Sequence, residues 1–371
     1  MGEDVLPQLP KTFAAIQRGF ESRLHTAAQL HVKLNGQVVA DVSLGQAHPG
    51  VLMRTDTLMP WLSAGKPITA VAIAQLWEHG KLELDDRAAQ HIPEFAASGK
   101  EPITIRHILT HTAGFRAVLG DFENAPWDDV IAAVGNAKLE PGWIVGKTAG
   151  YHPSTSWYIL AELIQRLDGR SFEQYVRETI FRPAGMNNTF FALTPQEQHA
   201  YAGRIAQLHD SQLNHPPSAK LIDDAASLQH VRPGSSARGP ARDLATFYEM
   251  LRSRGRSTTG ETILSSQTVE AITARHRVSV YDKSFKHVMD WGLGFIAQSN
   301  QYGIDTLPYS YGPHASPRTF GHGGSRSSIG YCDPEHGLVV AAIFTRTRTE
   351  TEHHARMLEI NAAIYEDLAL T

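Results

Sequence analysis

The chain has 371 residues, 42% of them hydrophobic and 19% charged, a composition typical of a globular protein with one large or two medium domains. Its 34 basic and 38 acidic side chains give a net charge of -4 without a basic run, which argues against a nucleic-acid partner. The single cysteine, Cys332, excludes intrachain disulfides, and the lack of a secretory signal pattern or a membrane-length apolar run leads us to expect a cytoplasmic protein with no membrane partner.

A helix and a β-hairpin are predicted at the start of the chain. Apolar residues recur near helical spacing over 9–25, which predicts a helix. Alternating residues over 28–44 flank Asn35-Gly36, the favoured two-residue turn, and predict a hairpin.

Helical patterns dominate the middle of the chain, and strand patterns dominate its last hundred residues. The predicted helices cover 63 to about 79, 105–109, 156–167, 171–181 and 241–252, followed by strands at 291–296, 328–332 and 338–344 and a helix at 352–368. We predict an α+β fold in which residues 1–62 and 275–371 form a sheet domain flanked by the terminal helices. Residues 63–274 would form a mainly helical domain, with the active site in the cleft between the two.

Ser63-Ala64-Gly65-Lys66 is the only Ser-x-x-Lys sequence in the chain, and it opens a long apolar stretch. A serine and a lysine three apart on a helix share one face, so the amine can reach the hydroxyl. A serine needs such a base to become a nucleophile, and a helix N-terminus offers N–H groups that stabilise an oxyanion. The alternative is a helix-capping serine followed by a solvated lysine.

Tyr151, in Gly150-Tyr151-His152-Pro153, is a candidate proton relay in a loop before the helix predicted from 156. A phenol held near a lysine can donate or accept a proton. The alternative is a tyrosine that closes a loop at the surface, and Tyr158, deeper in the helix, is the second candidate for the relay.

His322-Gly323-Gly324-Ser325 precedes a strand pattern near the C-terminus. Glycines there would let a substrate approach the backbone, and the N–H of Ser325 would face the reacting carbonyl. His322, Gly323 and Gly324, together with His152, are therefore the predicted substrate-binding residues. The alternative is a glycine-rich hairpin entry with an incidental histidine.

These three segments together resemble the serine β-lactamase and penicillin-binding protein superfamily, in particular its class C-like branch of serine esterases and D-aminopeptidases. Further segments match that family in chain order: 82–86, 92–95, 103–115 with His111-Thr112-Ala113-Gly114, 181–186, 241–245 and 291–295. The resemblance implies a β-lactamase/transpeptidase-like fold with an antiparallel sheet. It also implies that Ser63 and Lys66 are catalytic and that the N–H groups of Ser63 and Ser325 form the oxyanion hole.

Two motifs depart from the family pattern. The usual Tyr-x-Asn is Tyr151-His152-Pro153, and proline cannot contact a substrate amide as asparagine does. The Lys-Thr-Gly of many lactamases is His322-Gly323-Gly324, and a histidine with an ordinary pKa is mostly neutral at pH 7. Both changes argue against efficient hydrolysis of β-lactams.

We therefore expect a metal-independent serine hydrolase that forms an acyl-enzyme, with a small ester as the first choice of substrate. A small amide or peptide, as in D-aminopeptidases, is the alternative substrate, and acyl transfer to an alcohol or amine is an alternative reaction. A weakly catalytic binding protein on the same scaffold is the alternative of a different class. His107 and His111 are four apart on a predicted helix, but no glutamate stands where a zinc hydrolase needs one, so no metal or cofactor is expected.

The walls of the substrate pocket are expected to come from the loops at 116–127, 196–230 and 299–317. The segment 301–318 is predicted to overhang the site.

Overall fold

A computed structural model describes residues 8–117, 125–206, 208–210, 226–304, 308, 310–347 and 349–371. The α-helices are α1 (Pro10–Glu21), α2 (Lys66–Glu78), α3 (Ala88–His91), α4 (Ile105–Leu109), α5 (Trp127–Gly135), α6 (Thr155–Asp168), α7 (Phe172–Val176), α8 (Arg182–Ala184), α9 (Pro195–Ala200), α10 (Ala241–Arg252), α11 (Ser266–Thr273) and α12 (Glu350–Asp367). The 3-10 helices are Leu62–Gly65, Pro93–Gly99, Ser227–Gln229 and Asn300–Tyr302, and Arg177–Phe181 is a π-turn. In these ranges, no helix has both the length and the hydropathy needed to cross a bilayer.

The strands are β1 (Ala27–Leu34), β2 (Gln37–His48), β3 (Val51–Leu52), β4 (Met59–Pro60), β5 (His209–Asp210), β6 (Arg238–Gly239), β7 (Arg277–Asp282), β8 (His287–Trp291), β9 (Ile296–Ala297), β10 (Phe320–Gly324), β11 (Ser328–Asp333), β12 (Leu338–Phe344) and β13 (Arg346–Thr347). Nine of them form one antiparallel sheet in the order β3-β2-β1-β12-β11-β10-β9-β8-β7. The two ends of the chain meet inside this sheet, because β1 pairs with β12 from Ala28 opposite Phe344 to Leu34 opposite Leu338.

The predicted hairpin at the start of the chain is confirmed. Asn35 and Gly36 join β1 to β2 with φ of 49° and 83°, the left-handed pair that a two-residue turn requires. Asparagine and glycine tolerate these angles better than other residues, which is why the turn could be read from the sequence.

Strand β12 is buried on both faces and divides the hydrophobic core into two layers. Its residues Val339, Ala341 and Ile343 pack toward the helical region, while the alternate ones pack toward α1 and α12. Alternate side chains of a strand point to opposite faces, so a continuous apolar strand requires cover on both sides. Helix α10 supplies part of that cover over β1, β11 and β12, although it lies in the segment predicted to be helical and separate from the sheet. The boundary between the two domains stays a prediction.

The structure differs from the predicted strands at three places. Strand β7 was not predicted, although Val278 and Val280 alternate in its sequence; in the structure its register against β8 shifts between Arg277 and Val280. The single strand predicted at 291–296 is instead the end of β8 and the start of β9, separated by a turn at Gly294 with φ of 80°. The glycine motif before β11 is itself a strand, β10.

Replacing Gly330 of β11 with alanine should destabilise the fold by about 1–3 kcal/mol, because the added methyl group would overpack α10 against the sheet. A Cβ at this position would lie 2.5 Å from Tyr248 Cε2 and 3.0 Å from Leu244 Cγ. The measurement is urea unfolding of the Gly330→Ala variant.

Gly135→Ala at the end of α5 is the matched control, since its Cβ would meet only the Glu94 carbonyl oxygen at 3.6 Å. This control should be neutral or stabilising by about 0.5 kcal/mol. Equal unfolding midpoints for the two variants would contradict the packing of α10 described here.

Candidate active site

Ser63 lies in the short 3-10 helix Leu62–Gly65, which leads directly into α2. Leu62, the residue before it, has φ of 51°, a left-handed conformation that costs free energy for a residue with a side chain. Trp61 holds this turn in place, with its N–H donating to the Ala237 carbonyl at 2.8 Å and its Nε1 donating to the Gly239 carbonyl at 2.8 Å. The serine therefore sits on a strained turn that is fixed by its neighbours.

The side chain of Lys66 is fully buried and contacts the serine. Its Nζ lies 2.9 Å from Ser63 Oγ, 2.8 Å from the Pro153 carbonyl oxygen and 2.6 Å from the Gly234 carbonyl oxygen. In a neutral amine, two N–H groups can serve the two carbonyls while the lone pair faces the serine O–H. This arrangement permits Lys66 to accept the proton of Ser63.

Two segments far apart in sequence build the cavity around this amine. A Cβ on Gly234 would lie 2.9 Å from Trp157 Cδ1 and 3.2 Å from Lys66 Nζ, so glycine lets the backbone approach both groups. The indole ring of Trp157 has its centre 5.3 Å from Lys66 Nζ, and its Nε1 donates to the His152 carbonyl at 3.2 Å. Neither the two carbonyls nor Trp157 was predicted from the sequence.

The hydroxyl of Tyr151 is buried beside Ser63, and the centre of its ring lies 5.3 Å from Lys66 Nζ. Burial raises the pKa of Tyr151 above its ordinary value, and the nearby Ser63 hydroxyl opposes that shift. Among the described residues, this hydroxyl makes no hydrogen bond of standard geometry. Tyr158, the alternative relay, is buried in α6, with its ring centre 5.6 Å from that of Trp127.

The third predicted motif lies in β10 against the serine turn. A Cβ on Gly324 would lie 2.3 Å from the Trp61 carbonyl oxygen and 3.1 Å from Leu62 Cβ, and Ser328 Oγ donates to the same Trp61 oxygen at 2.5 Å. Ser325 follows Gly324 in the turn that joins β10 to β11. The sequence predicted that Ser63 and Ser325 lie together, and the contacts of Gly324 bring their two segments into contact.

His322 is buried and electrically neutral. Burial is the main cause that lowers the pKa of His322 to about 3, and Lys66, in its protonated form, lowers it further. Its Nδ1 lies 2.7 Å from the Gly323 carbonyl oxygen, which assigns the proton to Nδ1 and leaves Nε2 as an acceptor. The ring centre is 5.9 Å from that of Tyr151. His322 therefore offers the site a lone pair rather than a cation.

His152 uses both ring nitrogens within the protein. Its Nε2 accepts from the N–H groups of Gly114 and Phe115 at 3.1 and 3.3 Å, and its Nδ1 donates to the Gly150 carbonyl at 2.8 Å. Burial lowers its pKa to about 3. The prediction that His152 binds substrate finds no support in these contacts, which instead fix the loop that carries Tyr151.

His111 and Trp291 also line this region, although neither was predicted as a site residue. The ring of His111 lies 4.9 Å from that of Tyr151 and 4.4 Å from that of Trp291, measured between centres. Both residues belong to segments that matched the family pattern, which was the available signal. No cluster of three or more His, Cys, Asp or Glu side chains suited to a metal ion occurs among the described residues.

Parts of the predicted pocket walls, at 118–124, 207, 211–225, 305–307 and 309, fall outside the described residues, and so does the middle of the segment predicted to overhang the site.

Replacing His152 with glutamine should weaken the dependence of stability on pH. A histidine held neutral down to about pH 3 takes up a proton only on unfolding, so the free energy of unfolding falls as pH drops from about 6.5 toward 3. Each such histidine contributes a slope of about 1.4 kcal/mol per pH unit well below pH 6.5. Urea unfolding between pH 7 and 4.5 measures the slope.

The control is His287→Gln on the exposed start of β8. An unchanged slope in His152→Gln would show that His152 titrates in the folded protein, and an equal change in the control would show that the effect does not come from burial of His152.

Comparison with known proteins identifies the family and the fold. The family model described as Beta-lactamase matches residues 14–364. The esterase/beta-lactamase LipL of Mycobacterium tuberculosis is 25% identical over 93% of this chain and 84% of its own length. A penicillin-binding protein homologue from Caulobacter crescentus superposes with a TM-score of 0.82 at 25% identity, covering 97% of each chain. A family VIII carboxylesterase superposes with a TM-score of 0.80 at 25% identity, covering 97% of this chain and 98% of its own.

These relatives confirm the expected fold and fit the predicted serine hydrolase with an esterase as first choice. A putative D-alanyl-D-alanine carboxypeptidase of Escherichia coli, 26% identical over 74% of this chain and 65% of its own length, fits the peptidase alternative. The match of the family model spans nearly the whole sequence. The chain belongs to the beta-lactamase family.

Proposed function

We propose that this protein is a serine hydrolase that works through an acyl-enzyme and acts on small, uncharged carboxylic esters. The observation that carries the proposal is the contact of 2.9 Å between Lys66 Nζ and Ser63 Oγ in a buried site. A buried amine that touches a serine hydroxyl on a strained turn is the arrangement that nucleophilic catalysis requires.

Acylation begins when Ser63 Oγ attacks the ester carbonyl and its proton passes to Lys66 Nζ. The N–H groups of Ser63 and Ser325 hold the negative charge that develops on the carbonyl oxygen. As the carbon–oxygen ester bond breaks, the leaving alkoxide takes a proton from the Tyr151 hydroxyl, and Lys66 returns a proton to Tyr151. A phenol with a raised pKa stays protonated before this step, so Tyr151 has a proton to give to the alkoxide, which is the stronger base.

Deacylation reverses these roles. A water molecule attacks the acyl carbon, and its proton passes through Tyr151 to Lys66. Lys66 then returns the proton to Ser63 Oγ as the acyl bond breaks, so the free enzyme is restored and a carboxylic acid leaves. Transfer to an alcohol in place of water needs the same proton movements.

The neutral state of His322 supports uncharged substrates. A lysine at this position would hold a substrate carboxylate through a charge-assisted hydrogen bond, which contributes about 1.5–3 kcal/mol. The lone pair of His322 Nε2 offers no such attraction. An ester also suits the site better than an amide, because an alkoxide leaves with less help than an amine. The similarity to a putative D-alanyl-D-alanine carboxypeptidase supports a peptidase or amidase as the second candidate.

Ser63→Ala should lower turnover of p-nitrophenyl butyrate by at least about 10³-fold, since the nucleophile is lost. Lys66→Met should cause a loss of similar size because the two residues act as one unit. Steady-state kinetics and labelling by a covalent serine-directed probe measure both effects.

The matched controls are Ser266→Ala, at an exposed position of α11, and Lys138→Met, at an exposed position after α5; both should keep wild-type rates. If the folded wild type is neither labelled by the probe nor active, the proposed enzyme is wrong, and the protein is a binding protein on the same scaffold.

The preference for uncharged substrates can be tested with two esters that share a leaving group. We expect kcat/KM for p-nitrophenyl butyrate to exceed that for the p-nitrophenyl hemiester of succinate by at least about tenfold, because His322 carries no charge to hold the second carboxylate. A chromogenic cephalosporin should be hydrolysed more slowly still. Equal or faster turnover of the succinate hemiester would contradict the proposed substrate class.

A further inference from the structure

Tyr151 is held by hydrogen bonds to its backbone and by neighbouring aromatic rings, while its hydroxyl makes no hydrogen bond of standard geometry among the described residues. Pro153 stands where the family usually has an asparagine, so the loop lacks that side-chain amide. The position of the phenol therefore depends on what holds residues 149–152.

The hairpin tip, residues 282–286 between β7 and β8, holds this loop at several points. Asp282 Oδ1 accepts from the Tyr151 N–H at 3.1 Å, and Ser284 Oγ donates to the Tyr151 carbonyl at 3.1 Å. The Lys283 N–H donates to the Ala149 carbonyl at 3.0 Å, and the ring of Phe285 lies 5.0 Å from that of Tyr151. Both backbone groups of Tyr151 and one side of its ring thus contact a single turn.

A buried ion pair fixes the hairpin tip itself. Asp282 is fully buried, and its Oδ2 accepts from Arg277 Nη2 at 3.0 Å, while its Oδ1 also accepts from the N–H groups of Ser284 and Phe285 at 2.9 and 3.1 Å. Arg277 Nη1 donates to the Thr110 carbonyl at 3.0 Å. Burial lowers the pKa of Arg277 to about 10, so the guanidinium stays charged at neutral pH.

The chain beside Thr110 completes the support from the other side. The Gly150 N–H donates to the His111 carbonyl at 3.1 Å, and the His152 N–H donates to His111 Nδ1 at 3.1 Å. Three successive N–H groups, at 150, 151 and 152, are thus bound by acceptors from two distant segments, and Arg277 joins those segments.

We propose that the hairpin tip is the positioning device for Tyr151, with Asp282 and Ser284 as positioning residues that set where the phenol stands relative to Ser63. This inference rests on the proposed function, because Tyr151 is the proton relay in it. A displacement of about 1 Å of a proton-transfer group can lower a rate by up to about 100-fold, so loss of one contact should reduce kcat without changing substrate affinity.

The test uses Ser284, because its side chain lies in an exposed turn and its replacement removes only the contacts to Tyr151 and Arg116. Ser284→Ala should lower kcat for p-nitrophenyl butyrate by about tenfold with KM within about twofold of wild type. Ser284→Thr, which keeps the hydroxyl, should restore kcat. Hydrogen exchange at residues 149–152 should be faster in Ser284→Ala than in the wild type.

Lys286→Asn is the control within the same turn, since asparagine tolerates the φ of 60° at this position, and it should behave as the wild type. Asp282→Asn, if it folds by circular dichroism, should lose more of kcat than Ser284→Ala. If Asp282→Asn does not fold, the kinetics and hydrogen exchange of Ser284→Ala alone test the inference.

Unchanged kcat and unchanged exchange in Ser284→Ala would overturn the inference while leaving the serine hydrolase intact. Equal losses in Ser284→Ala and Ser284→Thr would also overturn it. If turnover by the wild type does not depend on Ser63, the proposed function is wrong, and this inference is wrong with it.

Discussion

The burial of Lys66 is the constraint on which the site depends. An amine taken out of water must have its hydrogen-bonding groups satisfied by the protein, or the fold loses several kcal/mol. Here the partners are Ser63 and the carbonyls of Pro153 and Gly234, which come from three separate parts of the chain. The contacts that satisfy the buried amine therefore also bring together the serine turn, the loop that carries Tyr151 and the segment that carries Gly234.

Much of the site could be predicted, because its chemistry requires side chains at a fixed spacing. Ser63 and Lys66 were identified from their separation of three residues, and they are in contact even though Ser63 lies in a 3-10 turn and α2 begins only at Lys66. The carbonyls that complete the site could not be predicted, since every residue has one. The strained φ of Leu62 could not be predicted from the sequence either, because tertiary contacts of the neighbouring Trp61 hold the turn in this conformation.

In the fold, too, elements with a strong local sequence pattern could be predicted, while elements that depend on distant contacts could not. The first hairpin and helix α10 have strong local signals, and the structure has them where the sequence predicts them. Strand β7 was missed although Val278, Val280 and Tyr281 favour a strand; it is a short edge strand, and its register shifts. This weak strand nevertheless carries Arg277 and Asp282, so the part of the sheet that sequence patterns describe least supports the tyrosine loop.

The pairing of β1 with β12 has a consequence for biosynthesis. Residue 28 pairs with residue 44 in the first hairpin, but it lacks its neighbour in β12 until residue 344 has left the ribosome, so one edge of β1 stays open while the residues between are translated. Contacts this distant in sequence slow folding and leave strand edges open to other chains. The late strands also bring Gly324 to the serine turn. The arrangement around Ser63 therefore cannot be completed before residues 320–324 have been translated.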